Sequence, residues 1–159
     1  MMLRALVWFA ACAGALAAAD APVQPIPFSH KVHAGTMKLA CKMCHPNPDP
    51  GETMTIAQPA VCMSCHSAIK KDSPAIQRLA GYAKEGKQVP WVRVYELATF
   101  VDFSHRKHLA AGNTCEECHG PVAQRDVLAQ EVPVTMARCI DCHRAKKASV
   151  ECTLCHDVQ

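Results

Sequence analysis

Ten of the 11 cysteines in this chain of 159 residues fall in five Cys-x-x-Cys pairs, and a histidine follows each pair at once. The boxes are Cys41-Lys42-Met43-Cys44-His45, Cys62-Met63-Ser64-Cys65-His66, Cys115-Glu116-Glu117-Cys118-His119, Cys139-Ile140-Asp141-Cys142-His143 and Cys152-Thr153-Leu154-Cys155-His156. Two thiols at this spacing can both form thioethers to one porphyrin, and the next imidazole then meets the iron from one side. Zinc ribbons take two pairs per ion, so five pairs leave one over, and zinc does not need a histidine after each pair. A disulfide framework has no use for that histidine either. A thioredoxin-like centre uses one pair on a full α/β domain, which this chain is too short to repeat. The boxes read as five covalent c-type haem sites.

The four remaining histidines lie in two matching stretches, Phe28-Ser29-His30-Lys31-Val32-His33 and Phe103-Ser104-His105-Arg106-Lys107-His108. The last histidine of each stands seven or eight residues ahead of a box. They are candidates for the opposite faces of the irons. Five irons and four spare histidines leave one coordination position to be filled by something else.

These sites need elements that bring them close. Five haems on about 140 exported residues is about one per 28, too dense for separate protein cores. With eight aromatic residues the protein-only interior is thin, so the macrocycles must pack on one another, with short gaps and fast electron hopping. The expected fold is mostly irregular, with short α-helices carrying the boxes and little or no β-structure.

Met1 to Ala19 reads as a secretory signal: Arg4, an apolar run from Ala5 to Leu16, and a small-residue site cleaved after Ala19. Export to the periplasm suits covalent haem attachment, and Cys12 is lost with this segment. The other reading is an uncleaved anchor, though the run is short for a bilayer crossing. Residues 20–72 then form a dihaem half, 73–99 a connector and 100–159 a trihaem half. In the connector, Ser73-Pro74 opens a helix that ends at Gly86. The alternation of Trp91-Val92-Arg93-Val94-Tyr95 predicts a short strand, with Trp91 and Tyr95 packing on a cofactor or on the helix.

The second half resembles the small trihaem members of the class III multihaem cytochromes c, in its Phe-x-His-x-x-His stretch, its three boxes and a ligand position just before the second of them. That resemblance implies a class III-like fold built around packed haems. It pairs His105 with His119 and His108 with His143, and by the same logic His30 with His45 and His33 with His66. The ligand position for the last haem falls on Met136, where the trihaem proteins have histidine, so Met136 would pair with His156. A thioether is a soft ligand that favours ferrous iron. Met43 and Met63 are held inside box loops, and Met37 and Met54 have no motif support. The alternative is an open iron at His156. From Phe28 to Arg144 the chain also resembles the pentahaem subunit of bacterial alternative complex III, on Pro90 to Leu97, Phe103 to His108, Cys115 to Gly120 and Met136 to Arg144. That resemblance implies partners in a membrane quinol-oxidising complex.

The expected function is periplasmic electron transfer between redox proteins, cytochromes or such a complex, without substrate chemistry. Membrane association would come only through partners or an uncleaved N-terminus. The competing class is a small multihaem reductase with one open haem. Without Arg4, 16 basic residues face 14 acidic ones, and roughly ten propionate charges make the loaded protein acidic. Nucleic-acid binding is therefore not supported, and Lys70-Lys71 and Arg144-Lys146-Lys147 read as solvated faces.

Overall fold

The computed structural model describes residues 21–156; the signal segment, its cleavage site and Cys12 lie outside them. Among the described residues there are six α-helices and no strand, only an isolated bridge between Val101 and His156. The helices are α1 (Cys41–Cys44), α2 (Pro59–His66), α3 (Pro74–Glu85), α4 (His105–Ala110), α5 (Cys115–His119) and α6 (Met136–Ala145). A π-helical turn spans Lys31–Thr36, and 3₁₀ turns span Val122–Gln124 and Cys152–Leu154. The expectation of a mostly irregular chain with short helices holds.

Each of the first four boxes lies on or at the end of a short helix, where residues three apart share a face. The longest helix, α3, forms for local reasons. Ser73 accepts a hydrogen bond from the Ile76 amide at 3.2 Å, Pro74 occupies the first turn, and Gly86 closes the helix in the left-handed region at φ 64°. Leu79 of α3 joins Ile26 and Val89 in the protein's buried apolar cluster, against which Met63, Ile76, Tyr82 and Trp91 pack.

The strand expected at Trp91–Tyr95 does not form. The Val92 backbone is instead paired with a side-chain amide: Val92 N donates to Gln24 Oε1 at 3.0 Å, and Gln24 Nε2 donates to Val92 O at 2.8 Å. Alternation alone does not make a strand without a neighbouring strand to complete the ladder.

Contacts cross between the two halves in both directions. The first-half turn Lys31–Thr36 packs on the second-half turn Val122–Gln124, where Gly35 lies so close to the Ala123 carbonyl that no side chain fits. Lys31 N donates to Arg125 O at 2.9 Å, and Ser29 Oγ donates to Asp126 at 2.7 Å. In return, the first-half loop at residues 49–52 grips the start of α4. Arg106 N donates to Gly51 O at 2.9 Å, and the Arg106 guanidinium pairs with Asp49.

Candidate haem-binding site

Every letter of the Phe-Ser-His-x-x-His stretch has a structural job, and the job is the same in both copies. Phe28 stacks on His33 at 4.4 Å between ring centres and meets His30 edge-on at 4.8 Å. Phe103 stacks on His108 at 4.4 Å and meets His105 edge-on at 4.8 Å. Ser29 Oγ accepts from Val32 N at 3.1 Å, and Ser104 Oγ accepts from Lys107 N at 3.4 Å, starting each helical turn. The carbonyls of the same serines accept from Nδ1 of His33 and of His108, both at 2.8 Å. Both the phenylalanine and the serine were readable as signals, because they recur unchanged beside the histidines.

The histidines come together in twos. His30 faces His45 at 6.3 Å between ring centres, His33 faces His66 at 6.1 Å, His105 faces His119 at 6.4 Å and His108 faces His143 at 6.0 Å. A metal–nitrogen bond of about 2 Å on each side, plus about 1 Å from each nitrogen to its ring centre, sets two coaxial imidazoles roughly 6 Å apart. The four gaps thus fit an iron between each pair. No disulfide joins any of the ten box cysteines.

Hydrogen bonds at the far ring nitrogen orient the rings. Besides His33 and His108, Nδ1 of His45 donates to Thr55 O (3.3 Å), that of His66 to Ile69 O (3.0 Å) and that of His105 to Glu52 O (2.7 Å). His143 donates to Ser149 O at 2.6 Å, and His156 to Phe100 O at 3.2 Å. This arrangement leaves Nε2 as the lone-pair nitrogen, the tautomer a metal needs, and it raises the ligand's basicity. Burial, then His45, then His33 hold His30 down at about 4, so its imidazole is neutral at ordinary pH. Burial, then His105 and His45, lower His119.

His156 has no facing imidazole among the described residues; its ring lies 5.9 Å from that of Phe100. Met136 is the first residue of α6, following the cap Thr135, and is 67% exposed.

The boxes are neighbours in space. Burial raises the Cys62 thiol, and Cys44 beside it raises it further; Cys41 does the same to Cys115, Cys142 to Cys118 and Cys155 to Cys139. A polar clamp ties α5 to α6. Lys146 Nζ donates to Glu117 Oε1 at 2.6 Å and to Asn113 Oδ1 at 2.5 Å, and Arg138 Nη2 donates to Glu117 O at 3.2 Å. The Lys146 ammonium, then the Thr114 amide, which donates to Glu117 Oε2 at 2.6 Å, push the Glu117 carboxyl down to about 2.

Residues 101–157 match the family described as cytochrome c7 and related cytochrome c. A cytochrome c family implies covalently bound c-type haem, which suits the boxes of that segment, and the irregular architecture of short helices is consistent with a small multihaem c-type cytochrome fold. The chain is also similar to the multiheme cytochrome c subunit of menaquinone reductase from Nitratidesulfovibrio vulgaris. They are 38% identical over 97 residues, which is 60% of this chain and 45% of the relative. The chain thus spans about half the length of the curated relative that it matches. Electron transfer through haem is common ground between the two matches.

Sequence reasoning gave Tyr95 a packing role, and its ring does stand edge-on to His119 at 4.7 Å. Its hydroxyl does more. It accepts from Glu131 N and Val132 N, both at 3.2 Å, and donates to His119 O at 3.4 Å. Tyr95→Phe should keep the ring on His119 but strand those two amides, lowering stability by about 1–3 kcal/mol. The check is a denaturant midpoint that falls while the low-spin haem spectrum stays unchanged.

Proposed function

We propose that this chain is a pentahaem c-type cytochrome of the periplasm that carries electrons between redox partners and makes or breaks no substrate bonds itself. The observation that carries this reading is the set of four imidazole pairs spaced 6.0–6.4 Å apart, each uniting one box histidine with one histidine outside the boxes. Bound haem iron supplies one-electron exchange between its ferric and ferrous states. The protein's part is to hold and tune it. Cys41 and Cys44, Cys62 and Cys65, Cys115 and Cys118, Cys139 and Cys142, and Cys152 and Cys155 form the thioethers. His30 with His45, His33 with His66, His105 with His119 and His108 with His143 would hold four irons between them, leaving those irons no room for substrate. His156 would hold the fifth, with Met136 as its second ligand.

Partner choice follows from the relative, which is named as a subunit of menaquinone reductase. It favours work beside a membrane quinone complex, with the chain as the haem subunit. No helix among the described residues is long and apolar enough to cross a membrane, so attachment falls to the partners or to the N-terminal segment.

Mass spectrometry of the purified protein should give five covalent haems and a chain beginning at Asp20. Met136→Ala should lower the potential of one haem and turn that iron high-spin, leaving the other four unchanged. Five unmoved potentials would remove Met136 from the ligand set. A high-spin iron in the unmodified protein that binds nitrite or cyanide would instead favour the reductase reading.

A further inference from the structure

We infer that the pairs His30–His45 and His105–His119 form one matched unit at which the halves exchange electrons, so that boxes one and three are joined directly rather than the chain-adjacent boxes two and three. This rests on reading those pairs as axial ligands.

One loop serves both pairs. Glu52 O accepts from His105 Nδ1 at 2.7 Å, and three residues later Thr55 O accepts from His45 Nδ1 at 3.3 Å. Three residues of chain reach at most about 11 Å, so a ring of each pair is tied to one short stretch. The same loop is locked onto α4. Gly51, at φ 98°, gives its carbonyl to Arg106 N, Asp49 pairs with the Arg106 guanidinium, and a side chain at Gly51 would overlap Arg106. An open cleft lined by Lys42, Asn47, Arg106, Leu109 and Ala110 runs between box one and α4.

The two pairs also match in geometry. Their ring planes are nearly parallel, at 5° and 3°, whereas His33–His66 and His108–His143 are tilted by 55° and 50°. The difference follows position in the repeat, first site against second site in each half. Parallel imidazole planes act on the same iron d orbital and split the d set strongly, while tilted planes share their effect and split it less. The same ligands and the same ring geometry remove two of the sources of an energy difference between the two irons, which favours exchange in both directions.

The test uses the intact holoprotein. In two-dimensional NMR of the fully reduced form, the porphyrin bound at Cys41 and Cys44 should show direct proton contacts to that bound at Cys115 and Cys118. If the latter contacts only the porphyrin at Cys62 and Cys65 across the halves, or none, the inference fails. In the oxidised form, electron paramagnetic resonance should resolve two irons with a smaller maximum g and two with a larger one; a single class of four overturns the matching. Gly51→Ala should shift the signals of the His45 and His119 sites together and leave those of His66 and His143 in place. A shift confined to one site of the pair would overturn the coupling through the loop, and if that variant does not fold, the NMR contacts of the unmodified protein still decide. A haem count below five, or fewer than four low-spin bis-imidazole irons, would instead strike the functional reading beneath it.

Discussion

The chain produced without haem attachment is expected to show no cooperative unfolding transition. Among the described residues, Pro59 apart, only Ile26, Leu79 and Val89 are buried apolar side chains, and they form one small cluster beside α3. Burying such side chains contributes about 1.5–3 kcal/mol each, while ordering the backbone costs about 1–2 kcal/mol for every residue. The polar links do not change that balance. The ion pairs Lys31–Asp126 and Lys87–Glu85, with most of each side chain exposed, are of the kind that contributes at most about 1 kcal/mol. Meanwhile Phe100, Met136, Val127 and Leu154 present at least half their surface. Haem bound at the boxes would supply the apolar bulk that these side chains do not. Circular dichroism of protein made in a host lacking the attachment machinery should give a gradual, non-sigmoidal melt. A sharp transition in that protein would mean that the polypeptide alone specifies the fold.

The candidate sites stood out in the sequence because covalent chemistry constrains residue type and spacing together. Cysteine pairs followed by histidine have no common alternative use, and the repeated Phe-Ser-His-x-x-His stretches marked the facing imidazoles. Helix α3 was legible for a different reason: its cap, its first-turn proline and its closing glycine are all local. What could not be read is whatever depends on a backbone carbonyl arriving from elsewhere in the chain. Glu52 O at His105, Thr55 O at His45 and Ser149 O at His143 leave no trace in residue type, since any residue supplies a carbonyl. The crossing of the halves is hidden for the same reason, with Gly35 and Gly51 the two positions where composition hints at it. The strand expected at Trp91–Tyr95 fails on the same principle: alternation is local, but its pairing partner is not.

Phe103→Ala should disturb two irons at once, those of His105–His119 and His108–His143, while the first-half pairs keep their spectra. The Phe103 ring stacks on His108 with an interplanar angle of 23° and stands at 89° to His105, so a single side chain fixes the planes of two ligands. Each such aromatic contact is worth about 0.5–1.5 kcal/mol beyond the area it covers. Deletion of a half-buried ring adds a loss from the cavity it leaves, for a total of about 2–3 kcal/mol. Phe103→Leu separates the two contributions. It restores much of the volume without a flat face, so stability should largely return while the ring planes of His105 and His108 remain free to turn. The readout is therefore double: a denaturant midpoint that recovers in the leucine variant, and second-half paramagnetic resonance signals that stay broadened in both. Because Phe28 holds His30 and His33 in the same geometry, Phe28→Ala should give the mirror result at His45 and His66. If either variant perturbs all four imidazole pairs equally, the rings are held by the fold as a whole and not by their own phenylalanine.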